Sequence, residues 1–150
     1  PYPDRATERD ILLATTGAQE AEVSAVFDAD QLLAAQDLIR RMPVGEAIVE
    51  LILALVRAFR PDDPTAPERV RENMRWGPGP RAAQALMLAV RARALLRGAY
   101  APSAQDVSDL APAVLNHRMA LGFGARARGI TQLELIGDVT QMILEKKAES

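Results

Sequence analysis

The segment GPGPR, residues 77–81, is the part of this sequence whose residue types and order point most directly to chemistry. Proline favours the first position of a helix, because the N–H that it lacks would have no partner there. Arg81 would then lie in the first turn, where the helix dipole disfavours a cation by about 0.3–1 kcal/mol. An anion bound at this helix end would reverse that sign, since it would meet free main-chain N–H groups and a guanidinium fork. The alternative is a surface arginine after a proline-rich loop, and the spacing alone favours that alternative.

The other polar residues do not suggest a metal site. His117 is the single histidine and the chain has no cysteine, so we interpret this histidine as a structural imidazole near a helix end. The pairs Asp62-Asp63 and Asp28/Asp30 lack the spacing of a calcium-binding loop, and loop solvation and helix capping explain them. We therefore predict no metal-binding residues.

A second glycine-rich stretch, residues 122–129, does not match a phosphate-binding loop of the Walker A type. That loop needs a lysine directly after its second glycine, whereas the lysines of this chain are Lys146 and Lys147, neither of which follows a glycine. The chain is therefore not a complete nucleotide hydrolase by itself. Arginines outnumber carboxylates in residues 81–128, which leaves a nucleic-acid-binding surface open as an alternative.

Apolar residues recur at helical spacing almost throughout the chain, which predicts an all-α fold, a bundle of about five to six helices. The clearest stripe begins at Ile48 and ends at Phe59. Capping-box patterns at Asp28 and Thr131 and an N-cap residue at Ser103 predict three further helix starts. We expect the last helix to bury one face, formed by Leu133, Ile136, Val139, Thr140 and Ile143. No segment has the alternation of a strand, and further helices are predicted over about residues 6–15 and 80–96, with a short one around 68–74.

Length and composition are those of one compact globular domain. The chain has 150 residues, of which 49% are hydrophobic and 25% charged. No apolar run approaches the ~18 residues that a membrane span requires. The absence of cysteine fits a reducing compartment, and we expect a cytoplasmic protein. Because the chain begins at Pro1 without an initiator methionine or a signal sequence, we interpret it as a piece of a longer protein.

Three stretches of the sequence resemble the MoxR family of AAA+ ATPases, in the same order and spacing. Residues 76–82, WGPGPRA, are similar to the sensor 2 motif of that family. Residues 2–5, YPDR, with Glu8 and the Ile-Leu pair at 11–12, resemble the segment that leads out of its ATPase core. The stretch that begins at Tyr100 and ends in VLNHR, residues 114–118, resembles the region after the sensor 2 helix. The resemblance covers the chain from about residue 2 to the 140s.

This resemblance implies an α-helical lid subdomain that closes over ATP and Mg²⁺ held by an N-terminal AAA+ core. Arg81 would be the sensor 2 arginine that approaches the phosphates of ATP, with Pro80 beside it, and Ile11 would approach the adenine edge. We expect residues 1–120 to form the lid bundle and residues 121–150 to form a C-terminal extension whose helix packs on that bundle. Because the chain lacks the Walker A and Walker B motifs, we do not expect it to hydrolyse ATP alone.

The resemblance also implies partners and a role. The partners would be the chain's own N-terminal core, neighbouring subunits of a hexameric ring, and proteins with von Willebrand factor A domains. The role would be to couple ATP hydrolysis to chaperone-like remodelling or maturation of protein complexes. The arginine-rich stretch would then face ATP and a neighbouring subunit, without nucleic acid as a partner. Two alternatives stay open: a stand-alone helical module that binds nucleic acid or protein, and a lid from a related AAA+ branch such as the magnesium chelatase subunits.

Overall fold

The computed structural model describes residues 2–18 and 23–148, and within them it is almost entirely helical, which confirms the all-α class. The helices are α1 (Arg5–Thr16), α2 (Ala29–Arg41), α3 (Glu46–Ala58), α4 (Glu68–Asn73), α5 (Pro80–Leu96), α6 (Ala104–Leu115), α7 (Phe123–Ala127) and α8 (Gln132–Ala148). Two short strands, β1 (Met74–Trp76) and β2 (Ala120–Leu121), and a 3-10 turn (Asn116–Arg118) complete the elements. Among these residues, no helix is both long enough and apolar enough to cross a membrane.

The chain divides into two compact units, residues 1–33 and residues 34–150. The first unit contains α1, which begins after Asp4 because the carboxylate of Asp4 accepts a hydrogen bond from the main-chain N–H of Thr7. No residue of α1 is buried, so the apolar side of this short helix is exposed within the described residues. The exposed apolar side chains of this helix are Ile11, Leu12 and Leu13.

The predicted helix starts are confirmed by reciprocal capping hydrogen bonds. In each of three helices, a side chain at the N-cap and a side chain three residues later satisfy each other's main-chain N–H groups. The pairs are Asp28 with Gln31, Ser103 with Asp106, and Thr131 with Glu134. These contacts form within one helical turn, which explains why the sequence alone predicts them.

The core of the second unit lies between α3, α5, α6 and α8, which pack against one another. The predicted stripe of α3 is confirmed, since its inner residues from Leu51 to Phe59 are buried. Helix α5 contributes small as well as large side chains, with Ala82 and Ala94 buried beside Leu86 and Val90. The small residues let α5 lie close to its neighbours, so the helix that begins at the proposed motif is part of the core.

The buried face of α8 differs from the prediction at one position. Leu133 is 55% exposed, whereas Leu135, which we did not place on the face, is fully buried. The other buried members of this face are Ile136, Val139 and Thr140, as expected. At about 100° per residue the two leucines flank the stripe on opposite sides, so spacing did not decide which of them faces the core.

The two strands were not expected from the sequence. Strand β1 pairs with β2 in antiparallel fashion, with Met74 opposite Leu121 and Trp76 opposite Ala120. The main-chain N–H of Gly122 extends this pairing by donating to the carbonyl of Asn73 at 2.7 Å. Strands of two or three residues are too short to show a period of two. The pair holds the residues that directly precede Gly77.

Residues after β2 form α7 and α8, and α8 packs against α3 and α6. The predicted division into a lid of residues 1–120 and an extension of residues 121–150 stays a prediction.

Candidate functional site

The predicted motif, residues 77–81, comprises the loop between β1 and α5 and the first two residues of that helix. Pro80 is the first residue of α5 and Arg81 the second, and both are exposed. Gly79 is the N-cap residue, and it has no side chain that could satisfy the first N–H groups of the helix. The two predicted site residues therefore stand together at the positive end of the α5 dipole.

The first turn of α5 differs from those of the other long helices in having no carboxylate. Within the described residues, every other helix of eight or more residues has a carboxylate in its first turn. These carboxylates belong to Glu8, Asp30, Glu46, Asp106 and Glu134. Helix α5 has no acidic residue there and carries Arg81 instead, whose guanidinium has no hydrogen bond or ion pair in this part of the chain. The start of α5 is therefore an uncompensated positive site that an anion would stabilise.

The loop before α5 packs directly on the end of α3. A Cβ atom on Gly77 would lie 2.2 Å from the carbonyl oxygen of Phe59, so only glycine fits at this approach. The Nε of Arg60 donates a hydrogen bond of 2.9 Å to the main-chain oxygen of Pro78. Sequence reasoning missed Arg60, because no local pattern connects it with a carbonyl eighteen residues further along the chain.

An open cleft of about 550 Å³ lies beside this loop. Residues 60–64 line one side and residues 75–80 line the other, with the indole of Trp76 half exposed. Gly79 and Pro80 line this cleft and Arg81 beside them is exposed, so the start of α5 is accessible to a ligand or to another domain.

Part of the arginine-rich stretch is neutralised inside the fold by Asp106. This carboxylate is 2% exposed, and its oxygens lie 3.3 Å from the Nε of Arg93 and 2.6 Å from the Nη2 of Arg97. Burial by itself raises the pKa of Asp106, but hydrogen bonds from the N–H and hydroxyl of Ser103, together with Arg97, outweigh burial and lower the pKa below its ordinary value. Arg93 also pairs with Asp109.

Other arginines of this stretch are bound to main-chain or side-chain oxygens. Arg91 donates to the carbonyl of Arg40, Arg118 to the carbonyl of Val114, and Arg128 to the side chain of Asn73. Arg126, like Arg81, has no such partner among the described residues. Most arginines of this stretch therefore have partners within the fold, but the contacts with carbonyl and amide oxygens leave its positive charge in place.

His117 and Asp63 contact neighbouring side chains and main-chain groups of the protein. His117 is exposed on the 3-10 turn and contacts the guanidinium of Arg118. The carboxylate of Asp63 accepts hydrogen bonds from the hydroxyl and N–H of Thr65, and it also pairs with Arg57 at 3.0 Å. These contacts together lower the pKa of Asp63. Within the residues that the structure describes, no three His, Cys, Asp or Glu side chains are grouped so as to hold a metal ion.

Ile11 lies half exposed on α1, in the unit formed by residues 1–33, whereas Pro80 and Arg81 belong to the other unit. Its contact with adenine stays a prediction.

The comparison with protein families assigns a class to most of the helical core. Residues 66–138, which include the loop, α5 and most of the core, match the AAA lid domain. This part of the chain therefore corresponds to an AAA lid domain.

Two known proteins are similar to this chain over most of its length. The chain is 29% identical over 142 residues to Chaperone MoxR1 of Mycobacterium tuberculosis, an alignment that covers 95% of this chain and 37% of that protein. It also superposes with a TM-score of 0.80 and 22% identity on the crystal structure of a Cytophaga hutchinsonii protein provisionally described as an ATPase. That superposition covers 94% of this chain and 43% of the other, and it shows the fold. The predicted resemblance to a MoxR-family lid is confirmed, and the chain spans less than half the length of both proteins.

Proposed function

We propose that this lid closes over ATP bound by the core of an AAA+ ATPase, and that Arg81 contacts the phosphates of the nucleotide as the sensor 2 arginine. Closure would couple ATP hydrolysis to rotation of the lid, and thereby to chaperone-like remodelling of protein complexes. The similarity to a protein named as a chaperone supports this role.

The observation that carries the proposal is the uncompensated charge at the start of α5. Arg81 is exposed and unpaired within the described residues, and the first turn of α5 offers no carboxylate to balance it. These donors fit a phosphate group, which would accept from the guanidinium and from the helix N–H groups. Hydrogen bonds to charged groups contribute about 1.5–3 kcal/mol each, which is enough to shift a lid between two positions.

The same residues do not fit Mg²⁺. No cluster of carboxylates accompanies Arg81 in the described residues, so the magnesium ion of the nucleotide would be held outside this chain. ATP, when bound, would supply the phosphoryl group that is transferred to water, and Mg²⁺ would neutralise charge on the phosphate oxygens. The chain's own residues orient that group, with Pro80 presenting the start of α5 and Arg81 donating to an oxygen of the phosphate.

The lid would also contact the nucleotide base and other proteins. Ile11 would contact the adenine edge, and its exposure on α1 leaves it available for such a contact. The partners would be the ATPase core, neighbouring subunits of a hexameric ring and proteins with von Willebrand factor A domains. The lid bundle would comprise residues 1–120, with residues 121–150 as an extension that carries the last helix.

Substitution of Arg81 in the full-length protein tests this function. We expect Arg81→Ala to lower kcat for ATP hydrolysis by about 100-fold, since one donor to a developing charge has an effect of this order. Arg40→Ala is the matched control, because Arg40 is also an exposed arginine without a side-chain partner in the described residues and lies outside the arginine-rich stretch. Unchanged hydrolysis in Arg81→Ala would contradict the proposal, whereas an equal loss in both variants would point to a general effect of charge.

A further inference from the structure

We propose that Arg60 is a positioning residue for Arg81: it fixes the loop before α5 on the end of α3 and thereby sets the direction of the sensor arginine. This inference rests on the proposed function, because it assigns Arg60 a role at the same site.

The main chain of Arg60, which forms the base of this contact, is held by hydrogen bonds. The N–H of Arg60 donates to the carbonyl of Arg57 at 2.9 Å, and its own carbonyl accepts from the N–H of Asp63 at 3.0 Å. The carboxylate of Asp63 in turn pairs with Arg57 and accepts from Thr65. The main chain of Arg60 is therefore held on both sides, and the residue before it, Phe59, is completely buried in the core.

Two contacts attach the loop to this base. The side chain of Arg60 donates to the carbonyl of Pro78, and the Cα of Gly77 lies against the main chain of Phe59 without room for a Cβ. Pro78 is buried, and the Arg60 side chain is half-buried. The hydrogen bond is therefore partly shielded from water. Its loss would leave the carbonyl of Pro78 without a hydrogen-bond donor, which costs free energy.

The residues between this attachment and Arg81 transmit the position of the loop. Pro78 and Pro80 have φ fixed near −65° by their rings, so Gly79 is the flexible residue between the anchor and the helix. Because Ala82 in the first turn is buried in the core, a shift of the Pro78 carbonyl would displace Gly79 and Pro80, and with them the side chain of Arg81, and would leave the rest of α5 in place. Since orientation of a catalytic group to within about 1 Å can change a rate by up to about 100-fold, a loosened loop would impair hydrolysis more than it impairs nucleotide binding.

The experiment compares four forms of the full-length protein: wild type, Arg60→Met, Arg60→Lys and Arg91→Ala. Methionine keeps an aliphatic stem but removes every donor, and lysine restores a donor. Arg91 is the control, because it is also half-buried and donates to the distant carbonyl of Arg40, so its side chain is held within the fold and is not one of the arginines free to face ATP or a neighbouring subunit. Hydrogen–deuterium exchange of peptides that span residues 76–82 reports on the loop without any need for activity. The thermal midpoint, kcat and KM for ATP are measured in parallel.

We expect Arg60→Met to raise exchange in residues 76–82 several-fold, to lower kcat by about tenfold and to change KM for ATP by less than about twofold. Arg60→Lys should recover most of both effects, and Arg91→Ala should show neither. If Arg60→Met unfolds, the same comparison is made with Arg60→Gln, which retains a polar side chain with an amide donor and should show an intermediate effect.

Each other outcome decides a separate question. Unchanged exchange in Arg60→Met would overturn the positioning role. Raised exchange with unchanged kcat, in a protein that Arg81→Ala does inactivate, would overturn it as well. Raised exchange with unchanged kcat in both Arg60→Met and Arg81→Ala would show instead that the proposed function is wrong while the attachment of the loop exists.

Discussion

The carboxylate of Asp106 lies 2.6 Å from the Nη2 of Arg97, and this pair joins the end of α5 to the start of α6. The same carboxylate caps α6 through the N–H of Ser103 and approaches Arg93 on the preceding turn of α5. Asp106 is almost completely buried, whereas the side chains of Arg93 and Arg97 are 37% and 46% exposed. One acidic side chain therefore serves both as a helix cap and as the link between two core helices.

Replacement of this carboxylate should cost stability. We expect Asp106→Asn to lower the free energy of unfolding by about 1–3 kcal/mol. The substitution removes the negative charge that pairs with Arg93 and Arg97, whereas the asparagine oxygen can still accept the capping hydrogen bond from Ser103. Urea denaturation measures the change. Asp138→Asn is the matched control, since Asp138 pairs with Arg69 while both side chains are about half exposed, and its effect should be within about 1 kcal/mol. Equal effects of the two substitutions would show that burial of Asp106 does not strengthen its interactions.

The lowered pKa of Asp106 predicts how the free energy of unfolding depends on pH. The pKa of Asp106 is lower in the folded chain than its ordinary value of 3.8. Its stabilising contribution is therefore fully present above the pKa of the unfolded chain and is lost as the pH falls through the folded pKa. We expect the difference in unfolding free energy between wild type and Asp106→Asn to be constant above about pH 5 and to shrink below about pH 4.

Asp4, Asp63 and Glu134 also have lowered pKa values. Their contributions are common to wild type and Asp106→Asn, so they cancel in this comparison. A difference that grew as the pH fell would contradict the assignment. Urea denaturation at a series of pH values distinguishes the two results.

The two leucines near the start of α8 should differ in their contribution to stability. We expect Leu135→Ala to lower the free energy of unfolding by about 2–5 kcal/mol, because Leu135 is fully buried and its truncation leaves a cavity. Leu133→Ala, at a position that is 55% exposed, should change it by less than about 1 kcal/mol. The paired measurement checks which side of α8 faces the core, and similar losses at both positions would be inconsistent with the structure.

The helices could be predicted closely because their ends depend on short stretches of chain. The reciprocal caps at Asp28 and Thr131 form over three residues, and Pro80 starts α5 as its ring geometry favours. The end of α5 is equally local, since Gly98 adopts a φ of 70°, which glycine adopts without strain. The motif at residues 77–81 was placed at a helix start by the same reasoning.

The strand pair and the environment of the motif could not be predicted in this way. Met74 pairs with Leu121 across almost fifty residues, and strands this short carry no periodic signal. The sequence shows an excess of arginines in residues 81–128, but which of them are held by partners such as Asp106 and Asn73 depends on packing between distant segments. Composition counts charges and does not say which of them are paired.

Caps, helix-terminating prolines and glycines, and apolar stripes were therefore determined by residues within one or two turns of each other, and with them the all-α class and the start of α5 at Pro80. Which leucine of α8 is buried, which arginines are engaged and how Arg60 holds the loop before Arg81 were determined by packing between distant segments. The physical reason is that local geometry limits the backbone of each helix, whereas hydrogen bonds and close contacts such as that of Gly77 with Phe59 exist only once those helices have come together.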